Sequence, residues 1–163
     1  MSASTAASAL PDGFREAMSS FPSGVTIVTT TDADGQWWGF TATSFCSVSM
    51  DPPLVLVCLA DTAQCHAAFQ SAQRWSIHVI GGSHADLALR FATRGEDKFA
   101  NAGFVAGEEN IPVLGDVPVR LDCVEHTKVV AGDHTVLVGQ VIGTDMSDSS
   151  PTVYFRRAFH PLE

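Results

Sequence analysis

Long hydrophobic runs are missing from this chain. Its apolar stretches stay under ten residues, against the ~20 needed for a helix to cross a bilayer, so a helical membrane protein is excluded. Basic residues are scarce. Nine Lys and Arg stand against 18 Asp and Glu, giving a net charge of −9 and a pI near 4.9, which opposes broad contact with a phosphate backbone and makes nucleic acid a poor partner. The four cysteines, Cys46, Cys58, Cys65 and Cys123, form no CxxC pair, so thiols in a reducing cytoplasm are expected. Cys123 and His126 lie three apart on an expected strand and point to opposite faces, so no metal site is expected. No GxGxxG, GxxxxGK[ST] or GxSxG occurs; these absences speak against a dinucleotide-binding Rossmann turn, a P-loop and a hydrolase elbow. Residues 1–10 carry no Lys or Arg and do not read as a secretory signal.

What is present suits one folded domain. The chain has 163 residues, 45% of them hydrophobic, and a mean hydropathy of +0.15, too apolar for disorder. We expect a flexible tail over 1–12 and a single domain over 13–163. A short helix is predicted over 13–20, capped by Asp12 and stopped before Pro22. The β-branched run 24–31, the turn Asp32-Ala33-Asp34-Gly35 and the run 36–41 read as a hairpin. Residues 44–49 alternate less cleanly, and after Asp51-Pro52-Pro53 the apolar run 54–59 reads as a strand buried on both faces. Helices follow over 63–72 and 83–92, the second with Ser83 as N-cap and Asp86 three residues on; extended segments follow over 75–80, 119–130, 135–144 and 152–155. With no regular βαβ rhythm, the pattern predicts a mainly β fold with short helices, closed or nearly closed as an antiparallel barrel.

One stretch stands out chemically. Gly39-Phe40-Thr41-Ala42-Thr43-Ser44-Phe45 is small and hydroxyl-rich between two apolar strands. It suits a planar ligand lying on backbone amides, and equally a strand whose hydroxyls face water.

The run Phe21-Pro22-Ser23-Gly24-Val25-Thr26-Ile27-Val28-Thr29-Thr30, the segment from Gly39 through Asp51-Pro52-Pro53 to Leu59, and Gly132-Asp133-His134 before a strand closely resemble the short-chain flavin reductases, the small components of two-component flavin-dependent monooxygenases. The likeness runs from Phe14 to Arg156-Arg157, with the motifs in the family's order. It implies a split (Greek-key) antiparallel β-barrel homodimer that reduces FAD or FMN with NADH, FAD ahead of FMN and NADH ahead of NADPH. Reduced flavin would pass to a partner monooxygenase. The alternative from another class is a non-catalytic flavin- or haem-binding split barrel.

By the same resemblance, Thr41, Ala42, Thr43 and Ser44 line the isoalloxazine and ribityl chain, where donors favour the reduced ring. Cys58, Leu59, Ala60, Thr62, Cys65 and His66 match the phosphate-binding turn, with the helix over 63–72 aiming free N–H groups at the anion. Asp61 departs from the family pattern, which carries a basic or amide residue there, and Cys65 replaces a hydroxyl; Asp61 reads alternatively as a helix cap. Phe91, Lys98 and Phe99 fall where the family meets the outer flavin or its adenylate, or else serve as core and surface charge. His134 is the candidate catalytic residue. With Gly132 and Asp133 it would hold the nicotinamide; Ala-Gly-Asp-His is also adequate for a plain hairpin turn. Tyr154 and Arg156 would flank the ring or the nucleotide phosphate, or end an edge strand, and Trp37 and Trp38 would pack at the dimer interface or over the ring.

Overall fold

The computed structural model describes residues 9–163; most of the expected 1–12 tail lies outside them. A seven-stranded antiparallel sheet forms the body. It contains β2 (Thr26–Thr31), β3 (Trp37–Ala42), β4 (Cys46–Met50), β5 (Pro53–Ala60), β6 (Arg74–Val79), β9 (Val119–Ala131) and β10 (His134–Met146) in the order β3-β2-β6-β9-β10-β5-β4. A second sheet joins β1 (Ser23–Gly24), β11 (Thr152–Phe155) and β12 (Ala158–Pro161), and β7 (Phe104–Ala106) pairs with β8 (Pro112–Leu114). Among the described residues three short α-helices occur, α1 (Phe14–Ser19), α2 (His66–Ser71) and α3 (Ala85–Ala92).

The mainly β architecture is as expected, but the main sheet is not a closed barrel. Its ladder ends at β3 on one side and β4 on the other. The two edges are consecutive in sequence, yet residues 43–45 between them turn the chain away before it pairs with β5. There the Ser44 hydroxyl accepts a hydrogen bond from the Cys58 N–H at 2.9 Å, so a side chain takes the place of a strand-to-strand ladder at the seam.

β2 explains how a threonine-rich strand lies inside. Thr26, Thr29 and Thr30 are at most 1% exposed, which leaves no water for their hydroxyls. Each donates to a carbonyl instead: Thr26 to Ala42 at 2.9 Å, Thr29 to Pro112 at 2.6 Å and Thr30 to Arg74 at 2.7 Å. The sheet's inner face closes over a core built on Val28, Phe40, Val57, Leu59, Phe69, Trp75 and Leu137; a second core under α3 gathers Val25, Ile27, Ile80, Ala88 and Phe91. Burying each Val, Leu, Ile or Phe among them contributes about 1.5–3 kcal/mol.

Helix starts differ from expectation. Gly13, not Asp12, is the N-cap of α1, and no side chain caps it. α2 begins at His66 because residues 60–66 coil into consecutive turns, with Ala63 N–H on Ala60 and His66 N–H on Ala63, both at 3.0 Å. Those turns consume donors that a helix beginning at 63 would have left free, and Asp61 caps nothing. α3 follows a 3-10 turn over Gly82–His84, so Ser83 lies inside that turn and His84 precedes the helix. Among the described residues no helix is long and apolar enough to cross a membrane.

Candidate functional site

A cleft of about 340 Å³ opens between the C-terminal end of β5, the turn after it, the end of α3 and the start of β10. Phe40, Leu59 and Phe91 contribute apolar lining, and Thr41, Thr62, Thr93, Arg94, Lys98 and His134 complete it. Neighbouring strands explain why residues so distant in sequence meet: His134 pairs with Ala60 across the β10–β5 ladder, and Thr41 on β3 donates its hydroxyl to the Ala88 carbonyl of α3 at 2.6 Å. That bond fixes the helix over the sheet edge.

Gly39 lets Phe91 reach the cleft. A Cβ at Gly39 would lie 2.6 Å from Phe91 Cε1 and 3.0 Å from the Val28 carbonyl oxygen. Phe91, 1% exposed, can therefore lie flat against β3 only because residue 39 has no side chain.

The phosphate-turn candidates form one wall. Asp61 N–H donates to the Asp133 carbonyl at 3.0 Å, which ties this turn to the β9–β10 turn. Arg94 donates to the Thr62 carbonyl, and Gln64 Oε1 accepts from Gly95 N–H at 2.8 Å. The segment after α3 is thus strapped to the segment after β5, and two cations lie beside it. Lys98 is half-buried; burial lowers its pKa, while the nearby Cys65 opposes that shift. It donates to the Gly39 carbonyl at 3.3 Å, and its remaining N–H donors are available to a ligand.

At the other side, Gly132 takes a φ of +60° at the β9–β10 turn, a region that favours glycine. His134 Nδ1 faces Asp133 Oδ1 at 2.7 Å. A proton on Nδ1 satisfies that carboxylate and leaves Nε2 as the free ring nitrogen. The hydrogen bond from His134 holds the Asp133 carboxyl below its ordinary range.

The structure brings Thr41, Cys58, Leu59, Ala60, Thr62, Phe91, Lys98 and His134 together on this cleft. Cys65 and Phe99 line an adjoining groove, and neither Gly132 nor Asp133, which precede His134 in the β9–β10 turn, lines the cleft. Burial pushes the Cys65 thiol up to about 11, so it is a protonated packing group. Ala42 is 5% exposed and belongs to the core; Thr43 is exposed, and Ser44 is engaged with Cys58. His66 turns away to Thr135 Oγ1 at 3.1 Å and Asp61 at 3.5 Å. Tyr154 lies on β11 opposite Ser23 and packs on the second core, while Arg156 lines a separate surface cleft with Glu16 and Arg157. Arg94, Thr93 and Gln64 were not anticipated. Their one sequence signal is Gly95, whose φ of +81° ends the helix segment and turns Arg94 back. Among the described residues no His, Cys, Asp and Glu cluster could hold a metal.

A cleft lined by aromatic and aliphatic side chains together with two cations suits a planar aromatic ligand carrying a phosphate. The volume is adequate, and the residues fit such a group.

Residues 18–163 match the family described as flavin reductase like domain. The chain is 42% identical over 149 residues to the actinorhodin polyketide dimerase of Streptomyces coelicolor, covering 91% of this chain and 84% of that one. It is 40% identical over 153 residues to the NADH:riboflavin 5'-phosphate oxidoreductase of Streptomyces pristinaespiralis, covering 92% and 87%. Among solved structures, an NADH:FAD oxidoreductase of Streptomyces globisporus, in complex with NAD and FAD fragments, superposes with a TM-score of 0.87 at 29% identity, covering 96% of this chain and 98% of that one. The flavin reductase component of a bacterial two-component tryptophan halogenase gives 0.84 at 30% identity, covering 92% and 96%.

Proposed function

The chain belongs to the flavin reductase like family, and on that footing we propose that it is an NADH:flavin oxidoreductase. It takes FAD or FMN, FAD ahead of FMN, and hands its reduced product to a separate flavin-dependent monooxygenase. The observation that carries this reading is the cleft itself, which Phe40, Phe91, Arg94, Lys98 and His134 line together, with His134 paired to Ala60 of β5. The two relatives that act on flavin with NADH, and the halogenase reductase, support it.

When both nucleotides are bound, the nicotinamide supplies a hydride and the flavin accepts it. The chain's own work is binding and alignment. Arg94 and Lys98 neutralise the phosphate, with Thr62 and Gln64 beside it on the turn. Phe40 and Phe91 exclude water from one side of the ring. Nε2 of His134, oriented by Asp133, holds the nicotinamide end, with Gly132 allowing close approach. Hydride transfer requires no general base, so His134 positions the substrate.

A homodimer belongs to the same proposal. Val48 and Met50 on the edge strand β4 are 49% and 91% exposed, and Val130 near the β9–β10 turn is 76% exposed; exposed apolar side chains of this kind favour a covering partner.

The test is steady-state NADH oxidation, followed at roughly 340 nm where reduced nicotinamide absorbs, with FAD, with FMN and with neither. Flavin-dependent oxidation is expected. A bound chromophore without turnover would make the protein a carrier, and His134 would lose its role.

A further inference from the structure

Two carboxylates stand on the joined turns beside the cleft, and they differ in what faces them. Asp133 Oδ1 has the His134 ring nitrogen at 2.7 Å. Asp61 sits in the chain between Ala60 and Thr62, which both line the cleft, and its side chain is 45% exposed. Its Oδ1 faces His66 Nε2 at 3.5 Å, beyond ordinary hydrogen-bond length. We propose that Asp61 is the release residue of the flavin site: its unneutralised charge repels the ligand's phosphate and keeps FMN and FAD loosely held, so that reduced flavin leaves. The proposal rests on the flavin reading above.

The network around His66 explains why this carboxylate stays unpaired. Thr135 is 1% exposed, so its hydroxyl needs partners inside the protein. Gln70 Nε2 donates to Thr135 Oγ1 at 3.0 Å and lies 3.1 Å from His66 Nε2, which is itself 3.1 Å from Thr135 Oγ1. An amide nitrogen only donates, so His66 Nε2 accepts from Gln70 and from the Thr135 hydroxyl. That arrangement puts the ring proton on Nδ1 and turns a lone pair toward Asp61, not an N–H. The cleft's cations do not compensate. Arg94 donates to the Thr62 carbonyl and Lys98 to the Gly39 carbonyl, and among the described residues neither forms an ion pair with Asp61.

Charge decides which ligands feel this. Arg94 and Lys98 attract a phosphate, and a carboxylate on the same turn offsets part of that attraction, by an amount that water and salt screen. FMN and FAD carry phosphate and feel both effects. Riboflavin has the same ring and ribityl chain without phosphate, and feels neither. A reductase that hands its product to a separate enzyme must let that product go, and weaker attraction shortens the residence time.

Titrations of the full-length protein with FMN, FAD and riboflavin, read by flavin fluorescence, test this. Asp61→Asn should lower the Kd for FMN and FAD about fivefold, the worth of one close charge pair in bulk water, and leave riboflavin unchanged. Dissociation of FMN in stopped flow should slow by the same factor. Asp61→Glu, which keeps the charge, should match wild type, and added salt should narrow the gap between wild type and Asp61→Asn. Both variants keep the backbone N–H that bonds to Asp133; if Asp61→Asn does not fold, Asp61→Ser supplies a second neutral side chain. Equal tightening of all three flavins would mean a change of shape and not of charge, and overturns the proposal, as does unchanged or weakened FMN binding. Failure of wild type to bind any of the three would sink the flavin reading itself, a result distinct from Asp61→Asn leaving a measurable affinity where it was.

Discussion

His134 Nδ1 lies 2.7 Å from Asp133 Oδ1, and the backbone carbonyl of Asp133 accepts the Asp61 N–H at 3.0 Å. The turn that presents the imidazole is thereby bonded to the turn proposed to hold phosphate. His134→Ala should lower kcat/KM for NADH about tenfold, the worth of one well-placed hydrogen bond, and move flavin affinity less. Asp133→Asn should have a smaller effect in the same direction. Steady-state kinetics with separate flavin titrations check both; a loss of flavin affinity alone would place His134 on the flavin.

Arg94 has no apolar role, being exposed and bonded to the Thr62 carbonyl. Arg94→Ala should raise the Kd for FMN and FAD alike by about tenfold or more, since a charge-assisted contact is worth about 1.5–3 kcal/mol. Added salt should weaken wild-type binding and affect the variant less. Isothermal titration at two salt concentrations reads this directly.

Gly39→Ala should destabilise the protein, because its Cβ would sit 2.6 Å from Phe91 Cε1 and 3.0 Å from a backbone oxygen that cannot yield. Overpacking of this kind costs about 1–3 kcal/mol. A Tm lower by about 2–10 °C in a thermal melt is expected for a domain of this size. An unchanged Tm would mean that Phe91 is free to move.

His78 is fully buried, with Nδ1 on the Ile27 carbonyl at 2.9 Å and Nε2 accepting from Leu114 N–H at 3.1 Å. Burial pushes its pKa down from 6.5 to about 4. The depressed value fixes the sign. Above pH 6.5 both folded and unfolded chains hold it neutral and stability is full; as pH falls from 6.5 toward 4 the unfolded chain takes the proton first and stability is lost. The loss amounts to about 1.4 kcal/mol per pH unit and about 3 kcal/mol across the window. Urea melts between pH 7.5 and 4.5 should show this slope, flattened in His78→Gln.

The thiols should differ in reactivity. Cys46 is exposed, while burial pushes Cys65 and Cys123 up to about 11 and about 12. Thiolate is the reactive form, so native protein at pH 8 should leave Cys65 and Cys123 unlabelled until denaturant is added, as read by peptide mass.

Much of this was legible in the sequence. β-branched and apolar runs marked β2, β5 and β10 because strands at the centre of a sheet need those residues on both faces. Short elements were not: β1, β7, β8 and β12 span two to four residues each, too few to show a period, and barrel closure depends on where Ser44 bonds. The small, hydroxyl-rich motif lies on the edge strand β3, where alternation puts Thr41 on the cleft and Ala42 into the core. Arg94 escaped notice because nothing local links it to Thr62. Only the fold brings the end of α3 over the end of β5.

The central claim is that the cleft between β5, α3 and β10 is the flavin site, and a crystal structure of the protein soaked with FMN tests it most directly. The account predicts an isoalloxazine ring over Phe40 and Phe91 with its phosphate against Thr62, Arg94 and Lys98. Density for FMN at the cleft of Glu16, Arg156 and Arg157, with none beside Arg94, would contradict it.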